Sequence, residues 1–149
     1  INTYGKAAYT DGLLDGGVDD ELDDDDKAAI ALLLAEQSRY VTALADTLYA
    51  DEDTITSAMA EQKPAMWFNK SIMPFYTEGL LAADRNGMYE WKYGATEHCA
   101  DCKRLNGQRH RLKDWARRGL LPQSSSLECG GFLCECELVK VNGQAKGSW

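Results

Sequence analysis

The chain has 149 residues, 44% of them hydrophobic, and a formal net charge of −8 at pH 7. This length suits one domain, or one helical body with a small appended module, and the apolar fraction is ordinary for a globular protein. The acidic balance argues against a protein that coats nucleic acid over its whole surface, and no apolar run approaches the ~20 residues that a membrane-spanning helix needs.

No stretch resembles a signal peptide, so we expect the protein to be synthesised in a reducing compartment, where its cysteines stay reduced. Because the first residue is Ile1 rather than methionine, we expect a piece of a longer polypeptide or a processed one.

Residues 1–26 are predicted to form an extended acidic arm. Ile1 to Val18 is rich in Gly, Asp and Thr with weak periodicity, which is typical of a loop. The run DDELDDDD at 19–26 is predicted to be a solvated flank in which Asp26 caps the next helix.

Residues 27–87 are predicted to form a helical body of three helices. Lys27 to Ala50 is the clearest, a second short helix runs through about Gln62, and a third extends from Pro64 to Asn86 with a kink at Pro74. The third is unusually apolar, which favours packing against the first helix and leaves a partner-binding groove as the alternative. The face that repeats at intervals of three and four in the first helix contains Ile30, Leu34, Gln37, Val41, Leu44 and Leu48.

Residues 88–141 are predicted to form a zinc-binding module of short β-strands and one short helix, and 142–149 a tail. Such elements are too small to bury a core of their own, so a metal would supply the missing free energy of folding. The fold class is therefore mainly α, with a zinc-stapled C-terminal module. Its predicted elements are a strand at 88–93, a hairpin up to His110 with its turn at Asn106-Gly107, a helix at Leu112–Arg118 and a strand at Phe132–Val141.

All five cysteines lie within this module, in two close-set groups. Cys99 and Cys102 form a C-x2-C knuckle, and after 26 residues Cys129, Cys134 and Cys136 form C-x4-C-x-C. Tetrahedral zinc takes four ligands, and a knuckle presents two sulfurs at about 2.3 Å from a common point. The spacing predicts a structural zinc site with the knuckle as one pair. The other pair is either the two last cysteines, or Cys129 with one of them.

Several alternatives accompany this site. Cys134 and Cys136 would point to opposite faces of a regular strand, so both bind one ion only if the backbone turns, which the preceding glycine pair permits. His98 and His110 are lesser candidates, since a histidine beside a knuckle often only hydrogen-bonds a sulfur. Disulfides or reduced thiols are the other interpretations, although five is an odd number for a closed disulfide framework. Neither H-E-x-x-H nor H-x-E occurs, so no catalytic residue is predicted at the metal.

Seven basic residues crowd the module, whereas the N-terminal segment is almost purely acidic. A basic patch on an acidic protein can contact phosphate or an acidic protein face, and a solvated surface paired with its own carboxylates is the alternative. Only Trp115 lies nearby to stack on bases, so a sequence-reading surface is not predicted. The predicted nucleic-acid- or partner-binding residues are Lys103, Arg104, Arg109, Arg111, Lys113, Arg117 and Arg118.

One longer pattern joins these motifs: a C-x2-C, a Leu-x-Gly, a proline-containing spacer and a closing C…C-x-C. Its residues are Trp91, Gly94, Cys99, Cys102, Leu105, Gly107, Trp115, Gly119, Pro122, Leu127, Cys129, Cys134 and Cys136. This pattern resembles the C-terminal region of phage minor head proteins, the Mu F-like or head morphogenesis family. The resemblance covers Gly17 to Val141 and is most specific at the cysteines. Cys129 stands where many relatives carry histidine, so the fourth ligand stays open.

The resemblance implies a low-copy structural virion protein that associates with the portal protein or the major capsid protein during head assembly. It implies several copies in the phage head near the portal vertex, synthesis in the host cytoplasm, no role at a membrane, and contact of the basic patch with packaged DNA. Some relatives accompany the DNA at ejection.

Two other classes of function are kept as alternatives. An HNH-like zinc-containing nuclease would use histidines and an asparagine, and His98, Asn106 and His110 occur in that order around the first knuckle. No second cluster of carboxylates and histidines for Mg²⁺ accompanies them, so the catalytic constellation is incomplete. A zinc-finger nucleic-acid-binding protein is the third class, and steeply salt-dependent binding to duplex DNA would distinguish it.

Overall fold

The structure, a computed structural model, describes residues 2–50, 68–95, 97–131 and 134–149. The predicted second helix, the start of the predicted third helix at Pro64, and the first two residues of the predicted strand at 132–141 lie outside the described residues. Among the helices in the described ranges, none combines the length and the apolar character that crossing a membrane requires.

The described residues are rich in helix and contain one small antiparallel sheet, which agrees in part with the predicted mainly α class. The sheet has three strands in the order β2-β1-β3. The elements are α1 (Asn2–Gly16), α2 (Asp24–Ala50), α3 (Met73–Asp84), β1 (Met88–Lys92), α4 (Ala100–Leu105), β2 (Arg109–Arg111), α5 (Leu112–Arg117) and β3 (Glu137–Lys140).

The prediction of an extended arm at 1–26 is wrong over α1, which is a helix packed on α3. The glycines that suggested a loop form its contact surface. A Cβ added at Gly12 would lie 2.2 Å from the carbonyl oxygen of Tyr76, and one added at Gly79 would lie 2.1 Å from the carbonyl oxygen of Tyr9. Glycine alone allows two helix backbones to approach this closely. The glycines of α1 therefore allow a close contact between two helices and do not indicate a flexible chain.

The predicted first helix of the body is confirmed as α2, and the acidic run provides its N-terminal cap. Asp23, rather than the predicted Asp26, precedes the helix: its Oδ1 accepts a hydrogen bond from the Asp26 N–H at 2.8 Å. Asp26 Oδ2 accepts one from the Asp23 N–H at 3.1 Å, which completes a reciprocal capping arrangement. Asp26 Oδ1 also accepts a hydrogen bond from the Tyr9 hydroxyl at 2.7 Å. The Asp26 carboxylate thus completes the cap of α2 and also ties α1 to α2.

The predicted kink at Pro74 is instead the start of a helix. Residues 68–71 are helical, Ile72 interrupts them, and α3 then begins with Pro74 in its first turn. A proline is tolerated there because the missing N–H would have had no partner within the helix.

Two apolar cores lie on either side of α3. One joins the helices through Tyr9, Leu13, Ile30 and Phe75. The other fills the module between the sheet, α4 and α5, and Leu80 of α3 belongs to it. Its fully buried members include Trp91, Leu105, Leu112 and Trp115.

The module follows the prediction in part. The first strand is confirmed as β1, and the predicted helix at 112–118 is confirmed as α5, followed by Gly119 at φ +67°. The predicted hairpin up to His110 is wrong, because the knuckle begins α4 and β2 pairs with β1 instead. The turn at Asn106-Gly107 does form, with Gly107 at φ +77°. The second predicted strand is shorter, since β3 begins only at Glu137.

Candidate metal centre

The five cysteines converge on one cluster, in two groups of three that share Cys102. The sulfurs of Cys99, Cys102 and Cys129 lie within 4.8 Å of one another, and so do those of Cys102, Cys134 and Cys136. All five thiols are free, and the Cys99 and Cys102 sulfurs are 3.5 Å apart. Four sulfurs at about 2.3 Å from a tetrahedral zinc lie about 3.8 Å from each other. Each group of three thiols could therefore hold a metal ion, with Cys102 common to both groups.

The first pair of thiols is placed by the start of α4. Cys99 precedes the helix, and its sulfur accepts a hydrogen bond from the Cys102 N–H at 3.5 Å. A reciprocal pair of hydrogen bonds then joins this turn to the distant second group. The Ala100 N–H donates to Glu128 Oε2 at 2.6 Å, and the Glu128 N–H donates to Asp101 Oδ2 at 2.9 Å. These contacts bring Cys129, the next residue, beside the knuckle.

Cys134 and Cys136 are held in place by hydrogen bonds from side chains rather than by strand pairing. Residues 134–136 are outside the sheet, and side chains replace the missing strand partners. Gln123 Nε2 donates to the carbonyl oxygens of Cys134 at 3.0 Å and Cys136 at 2.8 Å. Asn69 Nδ2 donates to the Cys134 carbonyl at 3.3 Å. Both sulfurs can therefore face Cys102 although they are two residues apart.

A lysine lies among the backbone carbonyls next to the sulfurs. Lys70 Nζ donates to the carbonyl oxygens of Gln123, at 3.3 Å, and of Gly130. Burial lowers the pKa of Lys70, while the nearby Cys129 and Cys134 act in the opposite direction. Its ammonium is thus placed to offset the negative charge that thiolates would bring.

Burial decides the protonation of most of these thiols in the absence of metal. It raises the pKa of Cys102, Cys129 and Cys134 above the ordinary thiol value. Burial would do the same at Cys99, but hydrogen bonds from Cys102 and Cys129 outweigh it and lower the pKa. Buried, protonated thiols are chemically inert, whereas a bound metal ionises them outright.

The two histidines occupy different environments. His98 Nδ1 lies 3.7 Å from the Cys136 sulfur, and the ring stacks on Tyr93 with centroids 3.8 Å apart. This contact matches the prediction that a histidine beside a knuckle hydrogen-bonds a sulfur. His110 is buried, and its Nε2 lies 3.1 Å from Gln108 Oε1. Asn106 Oδ1 accepts a hydrogen bond from the Tyr93 N–H at 3.2 Å. Each residue of the nuclease alternative is therefore occupied by a separate contact.

The predicted basic patch is partly paired with its own carboxylates. Lys103 and Arg111 are exposed and have no acidic partner among the described residues, whereas Arg118 lies over the Trp149 ring at 4.4 Å. A role of this patch in binding stays a prediction. The ion pairs are Arg104 with Asp101 at 2.9 Å, Arg117 with Asp114 at 3.2 Å, and Arg109 with Glu90.

Glu90 of β1 supplies a pH-dependent part of the stability. Hydrogen bonds from Lys92 and Arg109 hold the pKa of this buried carboxyl below its ordinary value. Since the folded-state pKa is the lower one, the stabilisation is present above about pH 4.3, the unfolded value, and is lost as the pH falls through the folded pKa. We expect Glu90→Gln to lower the urea midpoint at pH 7, with the difference from the wild type shrinking below pH ~4.

The control for this experiment is Asp24→Asn, because its ion pair with Lys27 is exposed and should contribute little. A difference between wild type and Glu90→Gln that stays constant from pH 7 to pH 3 would contradict the assignment.

The predicted tail at 142–149 is docked on the module. Arg109 and Lys146 exchange backbone hydrogen bonds of 2.8 and 2.9 Å. Trp149 stacks on His110 with centroids 3.8 Å apart and meets Trp115 edge-on at 5.0 Å. The last residues therefore pair with the outer edge of β2.

Trp149→Ala is expected to lower the free energy of unfolding by about 1–3 kcal/mol, because two aromatic contacts and one cation–π contact are lost. Burial now lowers the pKa of His110, with Asp114 raising it and Arg118 lowering it. The variant should therefore shift this pKa upward, which an NMR titration of the His110 ring measures. Trp149→Phe should restore most of both effects, and an unchanged His110 titration in Trp149→Ala would refute the contact.

The residues that shape the cluster were missed by the sequence patterns. Gln123 is the one residue other than glycine with a positive φ in the described ranges, at 61°. Neither it, Asn69, Lys70 nor Glu128 belongs to a cysteine motif. The proline and serines around Gln123 signal a loop, which is the only local indication that a side chain there is free to bond a distant backbone.

No family model matches this chain, and neither a curated protein nor a solved structure shows significant similarity to it. The resemblance to head morphogenesis proteins therefore depends on the residue pattern described above.

Proposed function

We propose that this chain is a structural protein of a phage head, of the minor head protein class, whose module at 88–141 is held together by one structural zinc ion. The observation that supports it is the convergence of thiols from two distant segments on two groups of three that share the buried Cys102. The zinc would be held by Cys99 and Cys102 with two of the three later cysteines. Bound there, it would supply a cross-link between the two segments and no chemical step.

Burial favours a structural rather than a catalytic metal. The exposed fractions of Cys102, Cys134 and Cys136 are 2%, 6% and 2%. A catalytic zinc needs an open position for water or substrate, and sulfurs this deeply buried leave little access to one. In the described ranges, cysteines alone form groups of three or more close ligands, so no carboxylate–histidine group offers a second site for Mg²⁺.

The contacts of His110 also weigh against the nuclease alternative. Its ring lies between Trp115 and Trp149, and one ring nitrogen is bonded to Gln108. A general base must reach the proton it abstracts, and this imidazole is enclosed. An assembly role asks only for a stable module and exposed surfaces, such as the unpaired Lys103 and Arg111. We therefore favour docking to the portal or capsid, with phosphate of packaged DNA as a further contact.

The test combines metal analysis with co-purification. The purified chain should contain one zinc per molecule, and it should co-purify with the portal protein encoded in the same genome without cleaving plasmid DNA. Cys102→Ser is the matched metal-free control. Absence of metal would overturn the zinc staple, and zinc without portal or capsid association would overturn the head assignment. Metal-dependent nicking of plasmid DNA that His110→Ala abolishes would support the nuclease instead.

A further inference from the structure

An apolar groove of about 760 Å³ runs between the helical body and the module. One wall is formed by α1 and α3, and the other by residues 121–123 and 135–138. Its floor is formed mainly by side chains of the core of the module. The side chains that form the floor are Ile72, Leu80, Leu112 and Cys136, of which 5%, 5%, 0% and 2% is exposed.

Large aromatic side chains stand exposed at the mouth of this groove. Tyr4 is 68% exposed and Phe68 is 48% exposed, and both line the groove. The half-buried Met73, Tyr76 and Leu138 continue the apolar surface inward. Contiguous apolar surface of this kind, with a polar rim, marks binding sites on soluble proteins.

The rim carries acidic charge on both walls. Asp11 of α1 lies on one side, and Glu135 and Glu137 lie on the other. All three are exposed, and none has a cationic partner among the described residues. Like charges on opposite rims repel an anionic ligand and attract one with cations spaced across the groove. This arrangement disfavours fatty acids, anionic lipid and nucleic acid.

We propose that this groove binds an amphipathic helical segment of a partner protein, with apolar residues on one face and lysine or arginine on its flanks. Apolar side chains would fill the groove between Phe68 and Leu138, and the flanking cations would pair with the rim carboxylates. Because acidic side chains lie on both walls, the groove favours a segment that spans it and disfavours a small apolar molecule. This inference concerns a surface distinct from the basic patch and does not depend on the head assignment.

The wall at 135–138 follows directly on the last cysteines, which gives the groove a link to the metal centre. Residues 134–136 are held by side-chain hydrogen bonds from Gln123 and by the cysteine cluster. Loss of metal is therefore expected to displace one wall and weaken binding, so peptide binding is measured with the zinc-loaded protein.

The experiment measures fluorescence anisotropy of a labelled amphipathic peptide of leucine, alanine and lysine, about 14 residues or roughly four helical turns long. A second peptide has glutamate in place of every lysine. We expect the lysine peptide to bind at least about tenfold more tightly than the glutamate peptide, and its affinity to fall as salt is added. The double substitution Glu135→Lys with Glu137→Lys should reverse this preference.

Two exposed positions outside the groove provide matched controls. Phe68→Ala should weaken binding of the lysine peptide about tenfold or more, whereas Leu32→Ala, at a side chain 74% exposed on α2, should leave it unchanged. Asp24→Lys is the corresponding charge control, because that carboxylate lies outside the groove. Thermal unfolding of each variant confirms that the fold is retained.

The outcomes separate the alternatives. Equal binding of both peptides, or insensitivity to the rim and Phe68 substitutions, would overturn the proposal. Binding of a small apolar dye at Phe68 without binding of either peptide would overturn it in favour of a small ligand. Self-association that Phe68→Ala abolishes, again without peptide binding, would overturn it in favour of a second copy of the chain. Zinc content and portal association are measured separately, so failure here is distinct from failure of the proposed function.

Discussion

If the proposed zinc is bound, replacing Cys102 by serine is expected to release it and unfold the module at 88–141. Cys102 is the one residue shared by both groups of close sulfurs, and only 2% of it is exposed. Structural zinc in small modules contributes apparent binding free energies of about 10–16 kcal/mol at pH 7, comparable with the entire stability of a domain, about 5–15 kcal/mol. Metal analysis, near-UV circular dichroism of Trp91 and Trp115, and thermal unfolding measure the loss.

Leu105→Ala is the matched control for Cys102→Ser. Leu105 is fully buried on the same short helix but offers no ligand. Its truncation should cost about 2–5 kcal/mol through lost packing while one zinc per chain is retained. Chelation of the wild-type protein should reproduce the spectrum of Cys102→Ser. A serine variant that retains one zinc and unfolds like the wild type would refute the proposed centre.

The parts of the fold that followed from the sequence are those set by local rules. The repeat of Ile30, Leu34 and Gln37 predicted α2, and the alternation after Gly87 predicted β1. Gly119 marked the end of α5 because a left-handed residue is needed there. The convergence of the cysteines also followed, because two close-set pairs of cysteines are the spacing that tetrahedral metal ligation requires.

The parts that were wrong depend on contacts between distant residues. A glycine in a loop and a glycine at a helix crossing look alike in sequence, so the sequence around Gly12 predicts a loop, whereas Gly12 packs against the backbone of α3 at Tyr76 and Leu80. The Cys134 carbonyl accepts hydrogen bonds from Gln123 and Asn69, which lie 11 and 65 residues away. Tertiary contacts of this kind override local propensity, and a single sequence gives no signal for them.

Gly12→Ala is the second substitution for which we expect a large effect, because it would separate α1 from α3. In an exposed helix this change stabilises by about 0.5–1 kcal/mol. Here the new Cβ would lie 2.2 Å from the Tyr76 carbonyl oxygen and 2.7 Å from the Leu80 nitrogen, and backbone atoms cannot rotate away. Overpacking typically costs about 1–3 kcal/mol, which exceeds that gain, so a net loss of about 1–2 kcal/mol is expected. Urea unfolding and hydrogen exchange of α1 amides measure it.

Lys6→Ala tests whether the effect belongs to the contact rather than to the helix. Lys6 is exposed on α1, so its replacement should change stability by no more than about 0.5 kcal/mol. Gly79→Ala should resemble Gly12→Ala, since its Cβ would lie 2.1 Å from the Tyr9 carbonyl oxygen. The double variant should cost less than the sum of the two, because one separation of the helices relieves both clashes. A Gly12→Ala protein more stable than the wild type would mean that α1 does not pack on α3 in solution.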